Sequence, residues 1–176
     1  MPFKFVGRFS LDAIIAFQSR EIGLLEIHLL FQQCHLLFPG HGLFKHMNQK
    51  YQMARDSDIN MQIKLNDLSQ ISFPTEDLVV LLSNLLDNAI EACQKVTGRK
   101  EILCDILCGD SLYISVRNTS LPVEITDGNI RSDKMSKLEH GYGIPAIKMI
   151  LDQMQAEYTF ACNDGWFQFV ADIPIE

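Results

Sequence analysis

The clearest periodic signal runs from Leu78 to about Lys95, where Leu78, Leu81, Leu85, Ala89 and Ala92 recur at the spacing of one buried helix face. Pro74, the candidate cap Thr75, and the acids Glu76 and Asp77 near the positive helix end mark its start. A shorter helix is predicted over Asn48 to Asp56, and another from Pro145 to Met154, opened by a first-turn proline. Strands are predicted at Asn60 to Leu65, Glu101 to Leu107, Leu112 to Asn118, Tyr158 to Cys162 and Trp166 to Ile173. In the third of these, Leu112, Ile114 and Val116 face one side while Tyr113, Ser115 and Arg117 face the other. The connections Gly109-Asp110-Ser111 and Asn163-Asp164-Gly165 carry the residue types of tight hairpin turns.

Two stretches lack this order. Residues 1–38 read as one or two helices rich in Leu, Ile and Phe, without a clean amphipathic stripe. Phe38-Pro39-Gly40-His41-Gly42 would stop any such helix. The second stretch, Thr119 to His140, carries Pro122, Gly128 and many charges, and a loop of that length inside a domain is usually functional or disordered. The chain therefore divides into an apolar helical N-terminal segment, residues 1–44, and a regular α/β domain, residues 45–176.

Composition narrows the function classes. Hydrophobic residues at 47% and charged residues at 21% are ordinary for a globular chain long enough to bury a core. The formal charge of −7, with no segregated basic patch, argues against nucleic-acid binding. The longest apolar stretch, Ile22 to Phe38, contains Glu26, His28, Gln32, Gln33 and His35, so it reads poorly as a membrane span. Five cysteines with no recognisable secretion signal suit reduced thiols in a cytoplasm. Cys104 and Cys108 share a strand face, yet no CxxC pair or nearby histidine completes a zinc site.

The long helix also carries candidate chemistry. Asn84, Asn88 and Glu91 stand at i, i+4 and i+7, so at about 100° per residue they share one narrow face, expected opposite the Leu and Ala face. Two carboxamides and a carboxylate are oxygen ligands of the kind that suit Mg²⁺ held partly through substrate phosphates. The same pattern also describes an ordinary solvated face. A second signal is His140-Gly141-Tyr142-Gly143-Ile144, where glycines before a helix let the backbone approach an anion. A simple capping turn reads the same way. A dinucleotide fingerprint running to Ala146 fails on context, because a charged loop precedes it where a strand should stand.

The string Ser83-Asn84-Leu85-Leu86-Asp87-Asn88-Ala89-Ile90-Glu91-Ala92 closely resembles the N-box of the GHKL superfamily, which includes histidine kinases, gyrase-type topoisomerases and certain chaperones. The His140 to Ile144 string resembles that superfamily's second glycine box, at the end of a lid over the nucleotide. Together with Asn48 to Ala54, Arg117-Asn118-Thr119 and the final strand ending Ile173-Pro174, the order resembles the subgroup found in peptide-quorum-sensing receptor kinases. The resemblance begins near Lys45 and reaches the C-terminus.

It implies a two-layer α/β sandwich of the Bergerat type, a mixed and mostly antiparallel sheet with helices on one face. It also implies an ATP-binding catalytic domain that donates the γ-phosphate to a histidine on a dimerisation domain, with Asn88 on Mg²⁺. Asn84 would line the phosphate side, and Glu91 would act as base or in the metal's shell. Lys134, Lys137, His140, Gly141, Tyr142 and Gly143 would belong to the lid and its glycine box. The superfamily's D-x-G-x-G box is absent, and Asn118 stands where its adenine-reading aspartate is expected. Downstream partners implied are a response regulator and, as in sister kinases, a second copy of the chain. No phosphoacceptor signature accompanies His28 or His35, whose neighbours are apolar. The alternative reading is a non-catalytic module of the same fold that binds a partner protein.

Overall fold

A computed structural model describes residues 42–66, 68, 71, 73–126, 129–130 and 143–175. The expected N-terminal helices, His28 and His35 lie outside these residues. The first element is helix α1, Gly42–Asp56, which begins six residues before the predicted Asn48. Strand β1, Asn60–Leu65, follows, then the long helix α2, Thr75–Gln94. Strands β2, Glu101–Cys108, and β3, Ser111–Thr119, form a hairpin. The long loop contains two short strands, β4 (Ile125–Thr126) and β5 (Asn129–Ile130), which pair with each other. Helix α3, Gly143–Gln153, leads into the hairpin of β6, Glu157–Asn163, and β7, Trp166–Pro174.

The main sheet has the order β1-β2-β3-β7-β6, with β1 parallel to β2 and every other pair antiparallel. Residues paired across neighbouring strands share a face. Register therefore puts Met61, Ile102, Cys104, Ile106, Leu112, Ile114, Val116, Phe169, Ala171, Ile173 and Phe160 on one side. All are buried, as the alternation of β3 predicts. The helices cover this side: Leu78, Leu81, Leu82, Leu85, Leu86, Ala89, Ile90 and Cys93 of α2 meet it, flanked by Leu43, Met47, Tyr51 and Ala54 of α1 and Ile147, Ile150 and Leu151 of α3. The architecture is the expected two-layer α/β sandwich with a mixed sheet.

Local chemistry sets the ends of these elements. Thr75, the candidate cap, is instead the first helical residue of α2, and Pro74 takes the cap position with no side-chain cap bond. Glu76 and Asp77 remain in the first turn, where acids favour the helix dipole. Helices α1 and α3 close alike. Ile59 N–H donates to Ala54 O and Ala156 N–H to Leu151 O, each at 2.9 Å, around left-handed Asp58 and Gln155. Asp164 and Gly165 both have positive φ, which makes the β6–β7 turn a two-residue hairpin with the twist its strands require. At the far end of β1, the Asn66 side chain donates to Cys108 O and accepts from Cys108 N–H, both at 2.7 Å, extending the strand pairing by one amide.

Cys93 ties α2 to the sheet. Its Sγ lies 3.3 Å from Glu101 O, 3.4 Å from Thr119 O and 3.3 Å from Thr119 Oγ1, while Glu101 N–H donates to that same hydroxyl. Burial pushes the Cys93 thiol pKa up, against the opposing pull of those hydrogen bonds. Cys104, deeper in the core, is pushed up to about 12 by burial and then by the charge of Asp105. Among the described residues no helix is long and apolar enough to cross a membrane.

Candidate functional site

Helix α2 has sheet beneath it and a helix on each side, and this fixes where its polar residues sit. The exposed stripe is Val80, Asp87 and Gln94, spaced by seven residues. Asn84, Asn88 and Glu91 are only half exposed. The expected placement of this face opposite the apolar one is therefore corrected: it is a shoulder between the solvent stripe and the core. The reason is the neighbour. The N-terminal end of α3 lies over the shoulder at Gly143.

The contact there is close. A Cβ on Gly143 would stand 3.4 Å from Asn88 Nδ2, 3.5 Å from Asn88 Oδ1 and 3.6 Å from Asn84 Oδ1. Glycine keeps that space open between the two carboxamides and the start of α3. Asn84 Nδ2 donates to Val80 O one turn back at 2.8 Å, so its carbonyl oxygen is the end turned toward the gap. Asn88 Nδ2 is buried with no hydrogen-bond partner among the described residues. A buried amide left unpaired costs about 1–3 kcal/mol, so its polar end is uncommitted and held at a cost. Helix α3 begins at this contact, and the first N–H groups of an α-helix have no partner within the helix. Two amide oxygens beside a helix N-terminus make a donor set for a hard cation and a receptor for an anion, the two parts of a metal–polyphosphate ligand.

The other predicted residues divide into three groups. Glu91 lies on the same shoulder, one turn beyond Asn88, and forms an i,i+4 ion pair with Lys95 at 2.9 Å. Asn118 lies on the helix-facing side of β3, 2% exposed, with Nδ2 donating to Thr119 O at 3.0 Å. Lys134, Lys137, His140, Gly141 and Tyr142 fall outside the described residues. Of the predicted set, the structure thus brings together Asn84, Asn88 and Gly143.

One residue pair escaped the sequence reading. Lys50 of α1 donates to both carboxylate oxygens of Asp87 on α2, at 2.6 and 2.7 Å. Both residues belong to strings that drew attention for other reasons. Nothing local marks two side chains 37 positions apart as partners.

Comparison with known proteins agrees with this geometry. A search of curated proteins found no match. Among solved structures, the nucleotide-free catalytic domain of histidine kinase ThkA is 18% identical, with a TM-score of 0.55 over 85% of this chain and 94% of that one. A mycobacterial sensor histidine kinase, MprB, is 12% identical, with a TM-score of 0.56 over 74% of this chain and 93% of that one. The Acinetobacter baumannii histidine kinase AdeS gives 12% identity and a TM-score of 0.54 over 87% of this chain and 77% of that one. At these identities the likeness is one of fold. A sequence-family profile described as a GHKL domain matches residues 74–174, from the residue that caps α2 to the last of β7. Since that match spans more than half of the chain and includes α2, Gly143 and the whole sheet from β2 onward, the protein belongs to the GHKL family and resembles its histidine kinase catalytic domains.

Proposed function

We propose that the domain binds Mg²⁺–ATP between the shoulder of α2 and the start of α3, and donates the γ-phosphate to a histidine on a dimerisation domain. The observation that carries this reading is the uncommitted Asn88 amide beneath a glycine, at the N-terminus of a helix. The residues present fit the cation. Asn88 and Asn84 offer carboxamide oxygens, and turning the Asn88 amide toward a ligand breaks no hydrogen bond formed within the described residues. When bound, Mg²⁺ would neutralise phosphate charge and align the γ-phosphate for in-line transfer.

The chain's own residues do the rest. Asn84, with Nδ2 anchored on Val80 O, presents a fixed oxygen toward the gap. Glu91 is assigned to the metal's outer shell or to proton handling during transfer. Asn118 is assigned to the base: with Nδ2 spent on Thr119 O, the amide offers Oδ1 as an acceptor for the adenine amine. Lys134, Lys137, His140, Gly141 and Tyr142 are assigned to the lid over the phosphates.

In this reading residues 1–44 form a separate N-terminal element preceding the catalytic domain of residues 45–176. The partners are the phosphoacceptor domain, a response regulator and a second copy of the chain. The setting is cytoplasmic, and the subgroup is that of peptide-quorum-sensing receptor kinases. Calorimetric titration of Mg²⁺–ATP into the purified chain tests the reading, with Asn88→Ala as control. Saturable binding abolished in the variant supports the pocket. A folded wild type that binds no nucleotide overturns it and leaves the family's fold serving as a protein-binding module.

A further inference from the structure

Helix α2 carries a carboxylate, Asp87, beside the proposed polyphosphate site. Asp87 immediately precedes Asn88 and follows Asn84 by three residues. Successive helical residues are about 1.5 Å apart along the axis and 100° apart around it, so a charge on Asp87 acts on Asn88's surroundings from within roughly 10 Å. That is on the order of one Debye length at physiological salt, and half-exposed groups at such a range still interact.

Lys50 answers that charge. Its ammonium grips both Asp87 oxygens, and its side chain is only 13% exposed although Asp87 is 51% exposed. A lysine can reach solvent readily, so its retention in the α1–α2 groove is specific. The pair is not needed to hold the helices together. Leu43, Met47, Tyr51 and Ala54 of α1 share one apolar core with α2, and Gln94 Nε2 donates to Ser57 Oγ at 3.0 Å near the other end. A partly exposed ion pair adds little stability to such packing.

We propose that Lys50 is a charge-cancelling residue for the anion site: by neutralising Asp87 from the neighbouring helix, it keeps the Asn84–Asn88 shoulder receptive to an anionic nucleotide. The inference rests on the nucleotide reading given above and adds to it a residue from outside the N-box. The two are distinguishable by one series of titrations. Lys50→Met leaves the Asp87 charge unanswered and weakens Mg²⁺–ATP binding about three- to tenfold at low ionic strength. Asp87→Asn leaves Lys50 positive and tightens binding. The double variant returns close to wild type, Lys50→Arg retains wild-type affinity, and the single-variant effects shrink in about 0.5 M salt. Thermal unfolding of each variant confirms that the compared proteins are folded. Equal, salt-independent weakening by Lys50→Met and Asp87→Asn would reduce the pair to a structural clip and overturn this inference while leaving the nucleotide pocket standing. Wild-type affinity in Lys50→Met would do the same. A folded wild type that binds no Mg²⁺–ATP would overturn both.

Discussion

Gly143 faces the Asn88 carboxamide at van der Waals range: a Cβ there would stand 3.4 Å from Nδ2 and 3.5 Å from Oδ1. These are ordinary contact distances, so alanine fits the folded apo chain, but it occupies the space between the carboxamides and α3. Alanine is also the better helix former, by up to about 1 kcal/mol in a helix interior. Gly143→Ala is therefore expected to hold or raise the thermal midpoint while weakening Mg²⁺–ATP binding about tenfold, or about 1.4 kcal/mol. Gly143→Val, with two further carbons, is expected to abolish binding. Calorimetry and thermal unfolding on the same samples check both arms. Unchanged affinity in both variants would place the ligand away from this contact.

The Asn88 amide carries a related prediction, in which stability and binding part company. An unpaired buried amide is destabilising by about 1–3 kcal/mol, and asparagine is a poorer helix former than alanine. Asn88→Ala removes both penalties and gives up some packing. The expected result is a net change between zero and about 1 kcal/mol in favour of the folded state, measured by urea unfolding. A loss of more than about 1 kcal/mol would show that Asn88 is a structural residue with a partner in solution.

Much of this was legible because the signals are local. Alternation within β3 sorts Leu112, Ile114 and Val116 from Tyr113, Ser115 and Arg117, and the register keeps the two sets on opposite faces, although Ser115 is buried as well. β1 has the predicted bounds, the other four strands of the main sheet differ from prediction by a residue at one or both ends, and the short β4 and β5 fall where only a loop is predicted. The surroundings of α2 were less legible. A helical wheel shows which residues share a face, but it does not show that α1 and α3 pack on either side. Thus Asn84 and Asn88 were expected opposite the core, whereas they lie under Gly143, 55 to 59 positions later in the chain. The Lys50–Asp87 pair has the same cause, since its partners meet only once two helices are packed. Thr75 lies inside α2 rather than at its cap for a smaller reason: Pro74 takes the cap position one residue earlier.

The matched closures of α1 and α3 predict stabilising substitutions far from the site. Asp58 and Gln155 sit at φ 55° and 54°, where a side chain meets the following carbonyl and costs about 1–2 kcal/mol. Glycine removes that strain but gains freedom in the unfolded chain, which takes back part of the benefit. Gln155→Gly is therefore expected to stabilise by about 0.5–1 kcal/mol, and Asp58→Gly by a similar or smaller amount. Urea unfolding measures both. Destabilisation by either would mean that its side chain makes a compensating interaction at the helix end.

Cys104 makes the fold sensitive to alkali. Its thiol is completely buried, and desolvation, reinforced by Asp105, raises its pKa from the ordinary 9.0 to about 12. The folded chain thus retains a proton that the unfolded chain releases. The sign follows from linkage: stability associated with the neutral thiol is fully present below pH 9 and is lost as pH rises from there toward about 12. The limiting slope is about 1.4 kcal/mol per pH unit, so the contribution lost by about pH 10.5 is on the order of 2 kcal/mol. Other groups titrate in this range too, and the informative quantity is the difference in slope between wild type and Cys104→Ala. The variant is expected to be less stable at pH 8 because it leaves a small cavity, yet to lose less stability between pH 8 and about 10.5. Parallel stability curves for the two proteins, measured by urea unfolding across that range, would show that the Cys104 thiol does not resist ionisation in the folded core.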